Sequence, residues 1–394
     1  HYIHSVCWKG SVPGLERISA LLDKMGHPER KCKFVHVAGT NGKGSTCAMI
    51  EALARAQGYV TGLFTSPHLV DFSERIRVNG DMITPDALAE EISFLKQLAE
   101  GWEQPPTFFE LALAVALRHF RKNSVNFIIL ETGLGGRLDA TNAVPKDIAV
   151  LAPIGLDHQQ YLGDTLEEIA AEKAAIIAPG KPSVTAVQHP GVMAVIERTA
   201  QNRRSPLTIA RADRKTPMPS LPGAHQRENA ALALETMRRL HALPSPAAAA
   251  AALARVQWPG RLETPPLVLD GAHNEHAARV LAATWKEEFP GRKAALVFAA
   301  SADKHIREMI PVLREIAGEW HLVPCTSPRI MPAQEMAALL AGQETGPVFI
   351  HSTLPDGLQA ALASPFPSLA AGSLFLLGDL KALLRHAEKR STAQ

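Results

Sequence analysis

A glycine-rich loop that carries one lysine is the segment of this sequence with the clearest chemical use. Its residues are Gly39-Thr40-Asn41-Gly42-Lys43-Gly44-Ser45-Thr46, and it follows the apolar run Phe34–Val37. Backbone N–H groups in such a loop, at the start of a helix, point at an anion, and the helix dipole favours negative charge there. The lysine would reach the terminal phosphates of a nucleotide, and a following hydroxyl could bind a metal ion or a phosphate oxygen. The pattern therefore predicts an ATP-binding loop.

The loop departs at two positions from the common GxxxxGK[ST] pattern. Val37 stands where the first glycine belongs, and Gly44 separates the lysine from the serine. The alternative interpretation is a glycine-rich turn before an ordinary helix. The lysine, the two hydroxyls and the preceding strand favour phosphate binding over that alternative.

Oxygen and imidazole side chains near the ends of predicted strands are candidate metal ligands. Glu131 ends an apolar run, and Ser66 and Asp139 also lie shortly after predicted strands. Ligand-binding groups of α/β sheets lie at the carboxyl ends of the strands, and a hard cation such as Mg²⁺ takes oxygen ligands. A turn carboxylate facing solvent is the alternative for Glu131. His158 follows another such run, and alone it is as consistent with a structural role as with a ligand.

Two further segments have a structural alternative as well. Lys173, taken by itself, is typical of a solvated charge. Asp270-Gly271-Ala272-His273-Asn274 lies at a predicted strand–helix turn. Asp270 and His273 could reach a nucleotide from there, or Asn274 simply caps the helix.

Apolar runs of strand length alternate with amphipathic stretches of helical length along the chain. Helix starts are indicated at Thr84-Pro85 and at the capping box Thr165-Leu166-Glu167-Glu168, which opens the helix that carries Lys173. The alternation predicts an α/β fold with parallel sheets and helices on both faces. The predicted strands are Phe34–Val37, Val60–Phe64, Phe127–Leu130, Ile148–Ala152, Leu267–Leu269, Ala295–Phe298, His321–Val323, Val348–Ile350 and Phe375–Leu377.

The order of these elements predicts two domains. Arg211–Pro222 is polar and proline-rich and predicts a loop, and a helix over Gln226–Leu240 follows it. The alanine run Ala247–Ala252 predicts a surface helix, because alanine is the best helix former. Thr264-Pro265-Pro266 is interpreted as a linker. We therefore place a P-loop-containing, parallel-sheet ATPase domain at residues 1–263 and a smaller Rossmann-like domain of about 130 residues at 264–394.

Composition restricts the class of partner. The 394 residues are 46% hydrophobic and 20% charged with a formal net charge of +2, so no polyanion such as nucleic acid is expected. The four cysteines lack CxxC spacing, and neither a signal peptide nor an apolar run of about 20 residues is visible. We expect a cytoplasmic protein that does not bind membranes. Because the chain opens at His1 and not at methionine, we also expect that a few residues precede it.

Taken together, the motifs resemble the Mur-ligase superfamily and, within it, the dihydrofolate synthase/folylpolyglutamate synthase family. The matching segments follow one another in the right order over nearly the whole chain. They are His36–Thr46, Thr65–Leu69, Glu131–Asn142, Leu156–His158, Glu172–Ala174, Pro259–Glu263 and Asp270–Asn274, with weaker matches at Ala302–Lys304 and Pro328-Arg329.

The resemblance implies an ATP-dependent ligase that joins L-glutamate to dihydropteroate and to the γ-carboxyl of reduced folates. It implies ATP and one or two Mg²⁺ ions as cofactors, with K⁺ as a further candidate ion, and we expect a monomer. The residues that it implies are Thr40, Asn41, Gly42, Lys43, Gly44, Ser45, Asn229, Arg261 and Asp270 for ATP; Ser66, Glu131 and His158 for magnesium; Thr107, Phe108, Phe109, Glu110, Leu138, Asp139 and Ala140, with the stretch Ser5–Trp8, for the pterin acid; and Lys43, Lys173, Asp270 and His273 for catalysis, with Lys173 carbamylated.

Two departures from the family pattern and two alternative functions accompany this interpretation. Arg211–Pro222 is shorter than the usual β-rich insertion, and the last predicted strand ends in Gly378-Asp379-Leu380, where the family commonly has Gly-Ser. A ligase acting on UDP-muramyl peptides shares the loop, but it usually has an additional N-terminal domain. A P-loop regulatory ATPase would hydrolyse ATP without an acceptor acid.

Overall fold

The computed structural model describes residues 14–29, 32–263, 267–343 and 346–391, and these residues form two compact units. The first unit contains the described residues up to Gly155 together with Gln159–Ser220 and Gln226–Val256. The second contains Leu156–His158, Leu221–His225 and the described residues from Gln257 onward. The predicted linker Thr264-Pro265-Pro266 lies outside the described residues, and the domain boundary at residue 264 stays a prediction.

The first unit is built on an eight-stranded sheet with strand order β4-β3-β2-β5-β1-β6-β7-β8. Strand β3 pairs antiparallel with both β2 and β4, and all other neighbouring pairs of this sheet are parallel. Strand β1 lies between β5 and β6 and is almost wholly buried, which explains its apolar sequence. The strands are β1 (Lys33–Ala38), β2 (Thr61–Phe64), β3 (Ile76–Val78), β4 (Asp81–Met82), β5 (Phe127–Glu131), β6 (Ile148–Leu151), β7 (Ser183–Thr185) and β8 (Leu207–Ile209).

Helices cover this sheet, and their starts carry the caps expected from the sequence. The Thr84 hydroxyl accepts a hydrogen bond from Ala87 N at 3.3 Å, and Thr165 and Glu168 form the predicted capping box. The alanine run is a helix with Ala249 and Leu253 on its buried side. The helices are α1 (Glu16–Lys24), α2 (Lys43–Ala56), α3 (Pro85–Leu98), α4 (Phe108–Lys122), α5 (Gln159–Leu162), α6 (Leu166–Ala174), α7 (Pro190–Asn202), α8 (Ala224–Arg239) and α9 (Pro246–Leu253).

The second unit has its own parallel sheet, with strand order β12-β11-β10-β13-β9. Its core contains the fully buried Trp285 and Trp320. The elements are β9 (Leu267–Leu269), α10 (Glu275–Glu288), β10 (Ala294–Phe298), α11 (Ile306–Leu313), β11 (Ala317–Leu322), α12 (Ala333–Leu340), β12 (Val348–Ile350), α13 (Leu354–Leu362), β13 (Ser368–Ala371) and α14 (Leu374–Ser391). The predicted α/β class with parallel sheets is confirmed. Within the described part of the chain, no helix has both the length and the apolarity that crossing a membrane requires.

The strand predicted at Phe375–Leu377 is wrong, because these residues belong to helix α14. Leu376, Leu377 and Leu380 are fully buried whereas Phe375 is 40% exposed, a helical spacing and not a strand alternation. The last strand is β13, and Gly372-Ser373 follow it directly. The supposed departure at Gly378-Asp379 therefore arose from the misplaced strand. Asp379 lies within α14, where its carboxylate accepts hydrogen bonds from the backbone N–H and the hydroxyl of Thr326 at 2.7 and 2.8 Å.

Candidate active site

The glycine loop joins the end of β1 to the start of α2, and two of its glycines are required by the backbone. Gly39 has φ +152°, and a Cβ there would lie 2.8 Å from Cβ of Ala152. Gly42 has φ +81°, and a Cβ would lie 2.7 Å from Oδ1 of Asn229. The loop thus packs closely against two neighbours, and Asn229, predicted to bind ATP, lies against it.

The rest of the loop is tied to the chain that follows β6. The backbone N–H groups of Thr40 and Asn41 donate to the carbonyl of Pro153 at 2.9 and 3.1 Å. The Thr40 hydroxyl donates to the Gly155 carbonyl at 3.0 Å and accepts from the Gly155 N–H at the same distance. These bonds hold the loop in a fixed shape at the carboxyl edge of the sheet.

Lys43 is the first residue of α2, and its ammonium group points back over the loop. Its Nζ donates to the carbonyls of Gly39 and Thr40, each at 3.1 Å. Lys43 thus lies at a helix N-terminus, a position where anions are bound favourably. Whether it contacts ATP stays a prediction.

The hydroxyl groups after Gly44 lie in the first turn of α2. Ser45 Oγ and Thr46 Oγ1 are buried and, within the described part of the chain, have no hydrogen-bond partner. A buried hydroxyl without a partner costs free energy, so a ligand oxygen nearby would satisfy it. These two atoms fit a phosphate or a metal-bound water.

Lys173 on α6 is buried, which a solvated surface charge would not be. Its Nζ donates to the Gly39 carbonyl at 3.0 Å. The backbone of α6 at this point packs closely on Gly136, where a Cβ would lie 2.7 Å from the carbonyl of Glu172 and 3.0 Å from that of Lys173. Lysine 173 therefore belongs to the surroundings of the phosphate loop.

Of the three predicted magnesium ligands, two lie together in the first unit. Glu131 is buried at the end of β5, and its carboxylate accepts a hydrogen bond from Ser66 N at 3.1 Å. His158 lies in the second unit with φ +54°, and its backbone N–H donates to Asp157 at 2.8 Å. The described residues contain no cluster of three His, Cys, Asp or Glu side chains that could hold a metal. The oxygen atoms of Ser66 and Glu131 nevertheless fit a hard divalent cation.

The residues predicted to bind the pterin acid around the start of α4 are mostly engaged with the protein. Thr107 and Glu110 form a capping box, and the Glu110 carboxylate also accepts from Arg17 Nε at 3.1 Å. Phe109 packs against Gly133, where a Cβ would lie 2.7 Å from the ring. The Phe108 ring lies under the guanidinium group of Arg75, 5.2 Å from its centroid.

Asp139 is a buried carboxylate that orders the loop after β5. It accepts hydrogen bonds from Gly133 N at 2.8 Å, Leu134 N at 2.9 Å and Thr141 N at 3.0 Å. Burial raises the pKa of Asp139, and these hydrogen bonds offset only part of that effect. Its neighbours differ in exposure: Leu138 is 38% exposed and Ala140 is buried. Leu138 is thus the member of this group most open to a ligand, while the predicted Ser5–Trp8 stretch lies outside the described residues.

In the second unit, Asp270 follows β9 and is half-buried. Its carboxylate accepts hydrogen bonds from Ala272 N at 2.9 Å and Leu262 N at 3.2 Å. Burial raises the pKa of Asp270, and the charge of Arg261 lowers it only in part. Asn274 caps α10 through Ala277 N at 2.9 Å, so the capping alternative for Asn274 is confirmed.

Sequence reasoning gave no role to Asp157, although it lies at the centre of a polar cluster in the second unit. Its carboxylate lies 2.5 Å from Lys304 Nζ, 3.1 Å from Asn274 Nδ2 and 3.4 Å from His273 Nε2. The signal was present in the matching segments Leu156–His158 and Ala302–Lys304, but spacing alone does not show that they meet.

Comparisons with known protein families agree with this architecture. Residues 37–213 match the Mur ligase middle domain, and residues 254–368 match the glutamate ligase domain of Mur ligases. The chain is 36% identical to the dihydrofolate synthase/folylpolyglutamate synthase of Bacillus subtilis, over 98% of both proteins.

Solved structures show the same likeness. The fold superposes with a TM-score of 0.88 and 29% identity on Escherichia coli FolC in complex with DHPP and ADP, covering 98% of this chain and 97% of that one. It superposes with a TM-score of 0.85 and 29% identity on a bifunctional folylpolyglutamate synthase/dihydrofolate synthase with Mn, AMPPNP and L-glutamate bound, covering 98% and 96%.

The phosphate loop and the two α/β units, each built on a sheet of mainly parallel strands, define an ATP-dependent ligase of the Mur type. Within that class, the chain belongs to the dihydrofolate synthase/folylpolyglutamate synthase family. The family predicted from the sequence is confirmed, and so is the Mur-ligase fold.

Proposed function

We propose that this enzyme adds L-glutamate to two acids, dihydropteroate and the γ-carboxyl of reduced folates. The observation that carries the proposal is the phosphate loop at the start of α2, where the Lys43 ammonium group lies over the loop carbonyls and the Ser45 and Thr46 hydroxyls are buried without a hydrogen-bond partner in the described chain. The bifunctional name of the Bacillus subtilis relative, which matches along its whole length, supports the choice of both acids.

The proposed reaction runs through an acyl phosphate. An oxygen of the acid attacks the γ-phosphorus of ATP, and the bond to the bridging oxygen breaks, which releases ADP. The glutamate nitrogen then attacks the carbonyl carbon, phosphate leaves with the oxygen that carried it, and the nitrogen loses a proton. Because phosphoryl transfer needs little covalent help, positioning and charge neutralisation supply most of the catalysis.

Lys43 and the backbone N–H groups at the start of α2 would neutralise charge that develops on the transferred phosphoryl group. Ser66 and Glu131, with His158 as the third predicted ligand, would hold magnesium, which when bound neutralises phosphate charge. Arg261, Asn229 and Asp270 are proposed to contact the nucleotide.

An ADP-release assay with ATP, magnesium and L-glutamate tests this function. Each acid is added in turn, and we expect release that depends on both the acid and glutamate. If dihydropteroate gives no ADP release, the proposed dihydrofolate synthase activity is wrong. Turnover that ignores both acid and glutamate would favour a regulatory ATPase, and turnover only with a UDP-muramyl peptide would favour a cell-wall ligase.

We also propose that Lys173 is carbamylated in the active enzyme. Its Nζ is buried and lies 3.0 Å from the Gly39 carbonyl, beside the phosphate loop. Once the ammonium group has lost a proton to solvent, its neutral nitrogen would attack CO₂ and release a second proton, and the resulting carbamate is an anion able to help hold a metal. A metal-bound crystal structure at neutral pH checks this, and an unmodified ammonium group there would contradict it.

The remaining proposals concern the whole chain. We propose a cytoplasmic monomer that binds neither nucleic acid nor membrane, with K⁺ as a further ion. The formal net charge of +2 over 394 residues supports the absence of a polyanionic partner, and the scattered cysteines support the cytoplasm. Light scattering after size exclusion tests the monomer, and an activity titration with KCl against NaCl tests the ion.

A further inference from the structure

The connection between β2 and β3 is a long loop that is closed at its base. Phe64 pairs antiparallel with Ile76, and Thr65 N donates to the Arg75 carbonyl at 3.0 Å. Residues 66–74 therefore leave the sheet and return to it, and we call them the 66–74 loop. Most hairpin loops have only about two to five residues, so a loop of this length needs contacts of its own to keep one shape.

Glu74 holds the middle of the 66–74 loop from inside. Its Oε2 accepts a hydrogen bond from Leu69 N at 2.7 Å, and its Oε1 accepts from Val70 N and Asp71 N, each at 3.0 Å. A carboxylate suits this task, because its two oxygens with about four lone-pair positions can accept all three bonds. One side chain therefore fixes three consecutive backbone N–H groups.

The start of the same loop carries Ser66, a proposed magnesium ligand. Ser66 N donates to the Glu131 carboxylate at 3.1 Å, which places Ser66 beside the second proposed ligand of the first unit. Only Pro67 and His68 separate Ser66 from Leu69. Because the connection is this short and proline fixes its own φ, the position of Ser66 depends on where Leu69 is held.

Arg75 holds the loop at other points. Its Nε donates to Nδ1 of His68 at 2.8 Å, and its guanidinium group lies over the ring of Phe72, 5.9 Å from the centroid. Arg75 thus contacts side chains of the loop, whereas Glu74 binds its backbone. Loss of the Glu74 carboxylate would therefore release the backbone of residues 69–71 while the base of the loop and the Arg75 contacts remain.

We propose that Glu74 is a positioning residue, which fixes the backbone of the 66–74 loop and thereby holds Ser66 beside Glu131 for magnesium binding. The part of this statement that concerns magnesium rests on the proposed ligase function and its ligands. The part that concerns the order of the loop does not, and each part has its own test.

Hydrogen exchange of the full chain without ligand, followed by nuclear magnetic resonance, tests the order of the loop. In Glu74→Gln the side chain has one acceptor oxygen and an NH₂ group, so it cannot accept all three bonds. We expect the amides of residues 69–71 to exchange at least about tenfold faster than in the wild type, because the loop opens locally. Glu74→Asp, which keeps both oxygens on a shorter stem, should retain part of the protection.

Glu90→Gln is the matched control for this measurement. It changes a carboxylate that is 70% exposed and lies 2.7 Å from Lys122 Nζ, and it should leave the exchange of residues 69–71 unchanged. Exchange in Glu74→Gln at the wild-type rate would overturn the proposal.

Binding of the Mn²⁺ complex of AMPPNP, followed by electron paramagnetic resonance, tests the consequence for the metal without any turnover. We expect the Kd in Glu74→Gln to be about tenfold higher than in the wild type, the size of effect seen when a group that orients a metal ligand is removed. AMPPNP in EDTA should bind both proteins equally, since the nucleotide loop is unchanged. Because Glu74 acts through Ser66, adding Glu74→Gln to Ser66→Ala should raise the Kd by less than about twofold.

The remaining outcomes separate this proposal from the proposed function. If Glu74→Gln raises the Kd by the same factor with and without the Ser66 hydroxyl, Glu74 does not act through Ser66 and the proposal is wrong. A Kd that Ser66→Ala leaves unchanged would contradict the proposed magnesium ligands and the metal part of the proposal, while the exchange result would still decide the order of the loop. An absence of turnover with every acid would contradict the ligase function and leave both measurements in force.

Discussion

At the scale of single residues, Lys43 is the side chain on which the phosphate chemistry depends most. Replacement by methionine keeps the apolar stem and removes the charge that would neutralise the transferred phosphoryl group. We expect kcat for ADP release to fall on the order of a hundredfold or more, the size of effect seen when one transition-state donor is removed. The melting temperature should change little, because the ammonium contacts only two loop carbonyls.

The control for this substitution is Lys181→Met, which changes an exposed lysine paired with Asp147 at 3.3 Å. It should leave kcat within about twofold, since exposed ion pairs contribute little. If the Lys43→Met enzyme keeps its activity, Lys43 is not a catalytic residue.

The buried side chain of His225 is expected to make the free energy of unfolding depend on pH. Burial, followed by the charges of Arg261 and His276, lowers its pKa from 6.5 to about 4, and its buried Nδ1 has no hydrogen-bond partner within the described chain. The folded state therefore holds the neutral ring, whereas the unfolded chain binds a proton below about pH 6.5. The stability that this group contributes is complete above that pH and is lost between about pH 6.5 and pH 4.

At pH 5 the loss due to His225 should be roughly 2 kcal/mol relative to pH 7.5, from the standard linkage relation. Urea unfolding of the wild type and of His225→Gln at both pH values isolates this share, which should disappear in the variant. His241→Asn, at an exposed histidine, should keep the full pH dependence. An identical pH dependence in His225→Gln would show that this group is not responsible.

At the scale of elements, the close contact between the Gly133–Gly136 turn and helix α6 determines where Lys173 lies. Gly136→Ala would push the carbonyls of Glu172 and Lys173 away by several tenths of an ångström, because a Cβ has no room there. We expect a stability loss of about 1–3 kcal/mol, typical of overpacking, and a clear fall in kcat.

Gly180→Ala provides the comparison for that substitution. Gly180 has φ +69° with open space around it, so alanine would cost about 1–2 kcal/mol of backbone strain without moving α6. Melting temperature and kcat measured on both variants separate instability from a displaced site. If both variants lose stability and keep full activity, the position of α6 does not control the reaction.

The local sequence pattern was sufficient to predict those elements whose pattern agrees with how they pack in the fold. Strand β1, the phosphate loop and the capping box at Thr165 were all predictable, because a buried strand, a glycine turn and a helix cap each leave a local signature. Phe375–Leu377 misled because a short apolar run fits a strand and a helix equally well. The difference appears only once the burial of Leu380 is known.

The positions of candidate site residues were predictable where one local motif fixes them. Lys43 lies at the start of α2 and Glu131 at the end of β5, as the sequence predicts, while their roles stay predictions. Asp157 was missed, since its partners Lys304 and His273 are far from it in sequence and meet it only in the folded second unit. A buried acid is defined by its surroundings, which a sequence without its fold does not contain.

At the scale of the whole molecule, nucleotide binding should raise the stability of the folded chain. The start of α2 holds the Lys43 ammonium group and the unpartnered hydroxyls of Ser45 and Thr46 in place, which an unfolded chain would not do. A ligand that binds only the folded state stabilises it by RT ln(1 + [L]/Kd), about 2.7 kcal/mol at a concentration of 100 Kd.

ATP with magnesium should therefore raise the melting temperature by several degrees in a thermal-shift assay. Removal of magnesium with EDTA should reduce the shift, because the phosphate charge is then less neutralised, and Lys43→Met should reduce it further. A shift of equal size with AMP, which lacks the β- and γ-phosphates, would show that the loop is not the phosphate-binding element.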